Sequence, residues 1–156
     1  MPEFPVVTLK PGPFAYITVT TPMAGIATAM GEGFGRLSAL FAEARAEMAG
    51  MPMCHYVEYD ETSTTFQLGF PCRPEEVGAL RAAGLSIGET PASATMKAVH
   101  LGPYDSVGST YNAMIGAMKA QGLVAARDMW EVYHSPPETP PEQIRTEILW
   151  PVRQGG

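Results

Sequence analysis

The chain has 156 residues, a length that fits one domain or two very small ones. Hydrophobic residues make up 46% and charged residues 17%, which allows a packed core and excludes bulk disorder. The net charge of −6, without any Lys/Arg cluster, argues against direct nucleic-acid binding. The uncharged stretch 11–31 holds three Pro and three Gly, which excludes a membrane-spanning helix, and the chain starts without a secretory signal. We therefore expect a cytoplasmic protein.

The first half of the chain predicts a strand followed by a helix. The β-branched run 15–20 is typical of a strand, and Thr21-Pro22 ends it. Apolar residues then recur at helical spacing, at Met30, Phe34, Leu37, Phe41, Ala44 and Met48. Gly50 follows where helices commonly end, and the glycines at 31, 33 and 35 predict a short or broken first turn.

A hairpin closes this half. Phe66, Leu68 and Phe70 alternate with Gln67 and Gly69, which predicts that the even-numbered positions face the helix. On the preceding strand Val57 and Tyr59 suit the core, so Tyr56 and Gln67 are expected together on the opposite face. Residues 73–92 predict a connector with one helical turn and a short strand at 85–87.

The second half repeats the first. An offset of 77 positions aligns Phe34 with Tyr111, Leu37 with Met114, Phe41 with Met118 and Tyr56 with Tyr133. An offset of 80 aligns 66–72 with 146–152. The second helix is expected to start at Asp105 or Ser106 and to end at Gly122. A single domain over 1–156 would thus hold two repeats, about 14–72 and 93–152, joined by the connector at 73–92.

The repeat predicts an α+β fold of two βαββ units related by a pseudo-twofold axis. Their antiparallel sheets would form a central ligand cleft, with the helices on the outer faces. In the second repeat Val132, Ile148 and Trp150 are expected inward, and Tyr133, Glu147 and Leu149 outward. Glu147 would then be the charged partner of Gln67 in the cleft, and Arg145 is the one basic residue expected near it. Aromatic walls around a few polar groups are typical of small-molecule sites.

Other reactive side chains carry less signal. Cys54 and Cys72 are predicted to be free thiols. The three histidines lack the spacing of metal ligands, so neither a metal nor a cofactor is expected. Tyr104, after Gly102-Pro103, is either a packing residue or part of a pocket rim.

The order of motifs in the second half resembles the GyrI-like small-molecule-binding domain, also known as the effector-binding domain of AraC-type and MerR-type multidrug regulators. The motifs are His100-Leu-Gly-Pro-Tyr-Asp105, Tyr111-Asn-Ala-Met114, Trp130-Glu-Val-Tyr133-His-Ser-Pro136, Pro141-Glu142 and Thr146-Glu-Ile-Leu-Trp-Pro-Val152. The resemblance implies a duplicated βαββ fold with an acidic residue in the last strand that meets cationic, aromatic ligands. In this sequence that residue is Glu147, with Tyr133 and Leu149 beside it.

The resemblance predicts binding of small cationic or aromatic organic molecules. The expected ligand contacts are Glu147, Tyr133, Leu149, Tyr56, Gln67 and Tyr104. The duplicated module leaves no room for a helix-turn-helix, so a stand-alone member is expected. Such members are also linked to gyrase inhibition and to hydrolysis of cyclopropane-containing genotoxins. Two alternatives therefore stay open: a hydrolase with Glu147 as base and Tyr133 as proton donor, and a gyrase inhibitor.

Overall fold

The chain divides into two units in a computed structural model that describes residues 4–103, 106–135 and 138–155. One unit comprises Pro11–Thr90, and the other combines Pro91–Gly156 with Met1–Lys10. The elements in chain order are β1 (Val6–Leu9), β2 (Pro13–Pro22), α1 (Ile26–Ala44), β3 (Met53–Tyr59), β4 (Ser63–Pro71), α2 (Val77–Ala82), β5 (Ser86–Glu89), β6 (Ser93–Leu101), α3 (Val107–Ala120), β7 (Leu123–Ala125), β8 (Met129–Tyr133) and β9 (Arg145–Gln154). The predicted α+β class is confirmed.

Both units repeat one topology of strands. In the first unit the strand order is β3-β4-β2-β5, and in the second it is β1-β6-β9-β8, with β7 also paired to β9. All pairs within the units are antiparallel. In each unit the strand before the helix pairs with the last strand of the hairpin, as a βαββ repeat requires. The connector forms α2 and β5, close to the predicted helical turn and short strand.

Helix α1 is longer at its start and shorter at its end than the sequence predicts. The glycines at 31, 33 and 35 do not break it, and a Cβ at Gly33 would lie 2.6 Å from Leu68 Cδ2, so a larger residue there requires the Leu68 side chain to move. The helix ends because Arg45 adopts a left-handed conformation with φ of 55°, so Gly50 is not its C-terminal residue. Met48 accordingly lies beyond the helix and is exposed.

The predicted core of α3 is confirmed. Met114 and Met118 are buried, Ser106 occupies the N-cap position, and Asp105 lies outside the described residues. A left-handed Gly122 follows the helix with φ of 68°. One buried hydrophobic cluster of this unit consists of Met96, Ala98, Met114, Met118, Ile148, Trp150 and Val152.

The residues of β4 that face the helix are the predicted ones, but those of β3 are not. Tyr56 pairs with Phe66, and their ring centroids are 5.9 Å apart, so Tyr56 lies on the helix-facing side. His55, rather than Tyr56, lies beside Gln67. The cause is a bulge at Val57, which has no partner in the register because Tyr56 pairs with Phe66 and Glu58 with Thr65. The alternation of faces that holds for 58 and 59 is therefore reversed for the residues before the bulge.

Strand β8 is also turned by one residue relative to the prediction. Ile148 on β9 faces α3 as expected. Its partner on β8 is Glu131, so Glu131, and not Val132 as predicted, shares this face. Glu131 and Tyr133 therefore point to the helix side. The four residues at 130–133 are all buried, so the contrast between an apolar and a polar face that normally fixes the register is missing here.

We expect Gly69→Ala to lower the free energy of unfolding by at least about 2 kcal/mol. Its Cβ would overlap the Ala15 carbonyl oxygen and lie 2.8 Å from Tyr16 Cα, and neither atom can move without breaking the β2–β4 ladder. Gly116→Ala on α3 is the control, because nothing lies within 4 Å of its Cβ position and the helix gains about 0.5–1 kcal/mol. Urea unfolding measures both, and equal effects would contradict this packing.

Neither cysteine forms a disulfide, as the sequence predicts, and both side chains are buried. The pKa of the Cys72 thiol is raised, mainly because the thiol is buried and to a lesser extent because the Glu76 carboxylate is near. Because the thiolate is the reactive form, we expect Ellman's reagent at pH 8 to label native Cys72 far more slowly than the unfolded chain. In a Cys54→Ser background, Glu76→Gln should speed labelling of Cys72. A native rate equal to the unfolded rate would contradict the burial.

Candidate functional site

A buried carboxylate lies between α3 and the sheet of the second unit. The Tyr111 hydroxyl donates a hydrogen bond of 2.6 Å to Glu131 Oε2, and the Tyr133 hydroxyl donates one of 2.8 Å to Glu131 Oε1. Glu131 is 6% exposed and Tyr133 8%. Acidic side chains are seldom buried this far unless they are hydrogen-bonded, and here both carboxylate oxygens accept from a phenol.

Aromatic rings surround part of this carboxylate. Tyr111 meets Trp150 edge to face, with ring centroids 5.5 Å apart. Tyr133 follows Glu131 by two positions on β8, so both side chains share the face that packs under α3. The result is a buried carboxyl group that contacts two tyrosine hydroxyls, and aromatic rings beside a carboxylate are a suitable environment for an organic cation.

The buried His100 fixes the start of α3. Its Nε2 donates to the Pro103 carbonyl at 3.1 Å, because a carbonyl can only accept, and its Nδ1 lies 2.7 Å from the Thr110 hydroxyl. Ser106 Oγ also lies 3.1 Å from Nε2. Thr110 precedes Tyr111, so these bonds from β6 hold the turn of α3 that carries one of the two phenols.

The repeat gives this cluster an apolar counterpart. The offset of 77 aligns Tyr111 with Phe34, Glu131 with Cys54 and Tyr133 with Tyr56, and the offset of 80 aligns Thr146 with Phe66. The aromatic contact is kept in both units, since Phe34 meets Phe70 where Tyr111 meets Trp150. Three of the four positions have become polar in the second unit alone. The repeat alignment therefore already contained the signal for Glu131, Tyr111 and Thr146, which the sequence analysis did not single out.

Glu147 has different surroundings from those expected. It pairs with Val132, so it lies on the sheet face opposite Tyr133 and Glu131. Lys97 Nζ lies 3.2 Å from one carboxylate oxygen, and His134 Nε2 lies 3.2 Å from the other. The Glu147 side chain is 19% exposed. The expectation that Glu147 faces away from α3 is confirmed, but the expectations that it shares this face with Tyr133 and that Arg145 is the one basic residue near it are wrong.

The remaining predicted contacts fall in several places. Leu149 is buried on the same face as Glu147, and Gln67 Oε1 lies 3.0 Å from His55 Nδ1. Tyr56 packs on Phe66. Tyr104 lies outside the described residues. The predicted central cleft and the ligand contacts assigned to these residues stay predictions.

Two further findings bear on the function. Among the described residues, no helix has the length and apolar character needed to cross a membrane. Within the same part of the chain, no three His, Cys, Asp or Glu side chains are grouped so as to hold a metal ion.

Comparison with known proteins identifies one family. The model of the GyrI-like small molecule binding domain matches residues 2–153. No curated protein matches the sequence significantly.

Several solved structures share the fold. The C-terminal domain of EcmrR has a TM-score of 0.74 and 16% identity, over 97% of this chain and 98% of that one. SAV2435 bound to tetraphenylphosphonium has a TM-score of 0.71 and 13% identity, over 97% and 94%. A hydrolase encoded by lin2189 from Listeria innocua has a TM-score of 0.69 and 14% identity, over 97% and 92%. At such identities these structures establish the fold alone.

We expect Tyr133→Phe to lower the free energy of unfolding by about 1.5–3 kcal/mol, because a buried carboxyl group loses a hydrogen-bond donor. The effect should shrink when Glu131→Gln is already present, which a double-mutant cycle in urea measures. Tyr16→Phe is the matched control, because no hydrogen bond of its hydroxyl occurs among the described residues, and it should change the free energy by less than about 0.5 kcal/mol. Strictly additive effects of Tyr133→Phe and Glu131→Gln would contradict the coupling.

Proposed function

The chain belongs to the GyrI-like small-molecule-binding family, and we propose that it binds small organic cations through Glu131. The observation that carries the proposal is the buried Glu131 carboxyl group, which accepts hydrogen bonds from Tyr111 and Tyr133. The ligand class, an aromatic or otherwise apolar cation, follows from the rings that enclose this group.

The physical basis is the cost of burying a charge. A carboxylate removed from water loses its hydration, and favourable contacts with other groups offset that cost. A cation beside Glu131 would add such a contact, and the faces of the Tyr111 and Tyr133 rings would add cation–π attraction. A neutral ligand of the same shape would gain neither, so the site would select by charge.

Glu131 is a better candidate for this contact than Glu147. The charge of Glu147 is already balanced by Lys97 at 3.2 Å, and the residue is partly in contact with solvent. A cationic ligand there would have to displace Lys97 or share the carboxylate with it. Glu131, in contrast, is buried, and each of its two carboxylate oxygens accepts a hydrogen bond from a tyrosine hydroxyl.

The structure of SAV2435 contains tetraphenylphosphonium, a large aromatic cation. Its fold is that of this chain, which supports the same ligand class here. Identity is 13%, so the individual ligand contacts are argued from this chain's own residues.

A hydrolase is the second candidate, and one distance favours it. Tyr133 Oη lies 2.8 Å from Glu131 Oε1, so a base and a proton donor are already in contact, and two structural neighbours from Listeria innocua are named hydrolases. Glu131 would activate water and Tyr133 would protonate the leaving group. The predicted pair of Glu147 and Tyr133 is replaced in this candidate, because those residues lie on opposite faces of the sheet.

We expect Glu131→Gln to weaken binding of tetraphenylphosphonium by about 10- to 100-fold, since it keeps the side-chain volume and removes the charge. Isothermal titration calorimetry measures the dissociation constant, and circular dichroism checks the fold. Glu43→Gln, an exposed change on α1, is the control for net charge and should leave the affinity unchanged.

Glu147→Gln completes the comparison. If it abolishes binding while Glu131→Gln has no effect, the ligand contact is Glu147 and the proposal for Glu131 is wrong. Incubation with a cyclopropane-containing electrophile, followed by mass spectrometry, tests the hydrolase. Turnover by the wild type that Glu131→Gln abolishes would favour that second candidate.

A further inference from the structure

One buried polar group beside Glu131 has no role in the arrangement so far described. Thr146 is 0% exposed, and its Oγ1 has no hydrogen-bond partner in the described part of the chain. A buried hydroxyl without a partner costs about 1–3 kcal/mol and is rare in folded proteins.

The position of Thr146 places it in the candidate site. It lies on β9, between two neighbours, opposite Tyr133 on β8 and opposite His100 on β6. All three side chains therefore share the face that carries Glu131. The hydroxyl of Tyr133 is directed to Glu131, and both ring nitrogens of His100 have partners in and before α3.

The first repeat shows what a purely structural residue looks like here. The aligned residue is Phe66, which is fully buried and packs its ring on Tyr56. Thr146 replaces that ring with a smaller side chain that carries one donor and two acceptor positions. The exchange gives up apolar contact and leaves an unpaired hydroxyl, a change that core packing does not explain.

We propose that Thr146 is a specificity-determining residue, whose hydroxyl binds an oxygen-bearing group of the ligand, either a hydroxyl or a carbonyl. The inference rests on the proposed function, in which Glu131 binds the cationic centre of the same molecule. The site then selects organic cations that carry a polar oxygen over cations that are wholly hydrocarbon on their surface. Such a preference follows because a ligand without the oxygen leaves the Thr146 hydroxyl unpaired and buried.

The test compares matched probes. Tetraphenylphosphonium has no hydrogen-bonding group. Its three monohydroxy derivatives, (2-, 3- or 4-hydroxyphenyl)triphenylphosphonium, each carry one hydroxyl at a different ring position. We expect at least one isomer to bind the wild type about fivefold more tightly than tetraphenylphosphonium. Thr146→Val keeps the shape and removes the hydroxyl, so the preference should vanish, while Thr146→Ser should retain most of it. Thr18→Val, at an exposed threonine on β2, should leave the preference unchanged.

Thermal unfolding of the unliganded protein gives a second readout. Thr146→Val should melt no lower than the wild type, because it removes a buried polar group that has no partner among the described residues. If the wild type and Thr146→Val show the same preference among the probes, Thr146 does not determine specificity and the inference is wrong. If neither kind of probe binds the wild type at all, the proposed function itself fails.

Discussion

The enclosure of one carboxyl group between a helix and a sheet constrains most of the second unit. Glu131 is buried there with the Tyr111 hydroxyl of α3 on one oxygen and the Tyr133 hydroxyl of β8 on the other. This geometry requires α3 to be held at a fixed height above the sheet, which the bonds from His100 achieve. The polar network and the methionine-rich core are therefore parts of one arrangement.

The duplication separates what the fold needs from what the site needs. Both units keep the edge-to-face aromatic contact between helix and last strand, as Phe34–Phe70 and Tyr111–Trp150. They differ at the positions where a carboxyl and two hydroxyl groups have replaced a thiol and two phenyl rings. The fold tolerates an apolar version of the cluster, so packing alone does not require the polar version in the second unit.

The helices, the hairpins and the facing of β4 and β9 could be predicted because apolar and polar positions alternate clearly along them. The same reasoning failed on β3 and β8. On β3 a bulge at Val57 interrupts the alternation, and no residue type in the sequence marks it. On β8 a charged residue faces inward, against the usual preference, because its hydrogen-bond donors come from positions two residues and twenty residues away.

The expectation that Glu147 is the acid that meets the ligand rests on its alignment with Gln67 and on the resemblance, which implies an acidic residue in the last strand. Neither line of reasoning points to Glu131 on β8. Only the cross-strand pairing of Glu131 with Ile148 reveals which acid is enclosed. The fold class, in contrast, depends on the order of the elements and is insensitive to a slip of one residue.

The order in which the strands pair has a consequence for synthesis of the chain. Strand β1 pairs with β6, which follows it after the whole first unit, whereas β2 to β5 pair within residues 11–90. On the ribosome the first unit can close while β1 still waits for its partner. The unit that contains Glu131 therefore closes last, and until β1 docks, the edge of β6 can pair with a foreign strand. Loss of β1, although it has only four residues, should accordingly increase aggregation during expression, because the edge of β6 would stay uncovered.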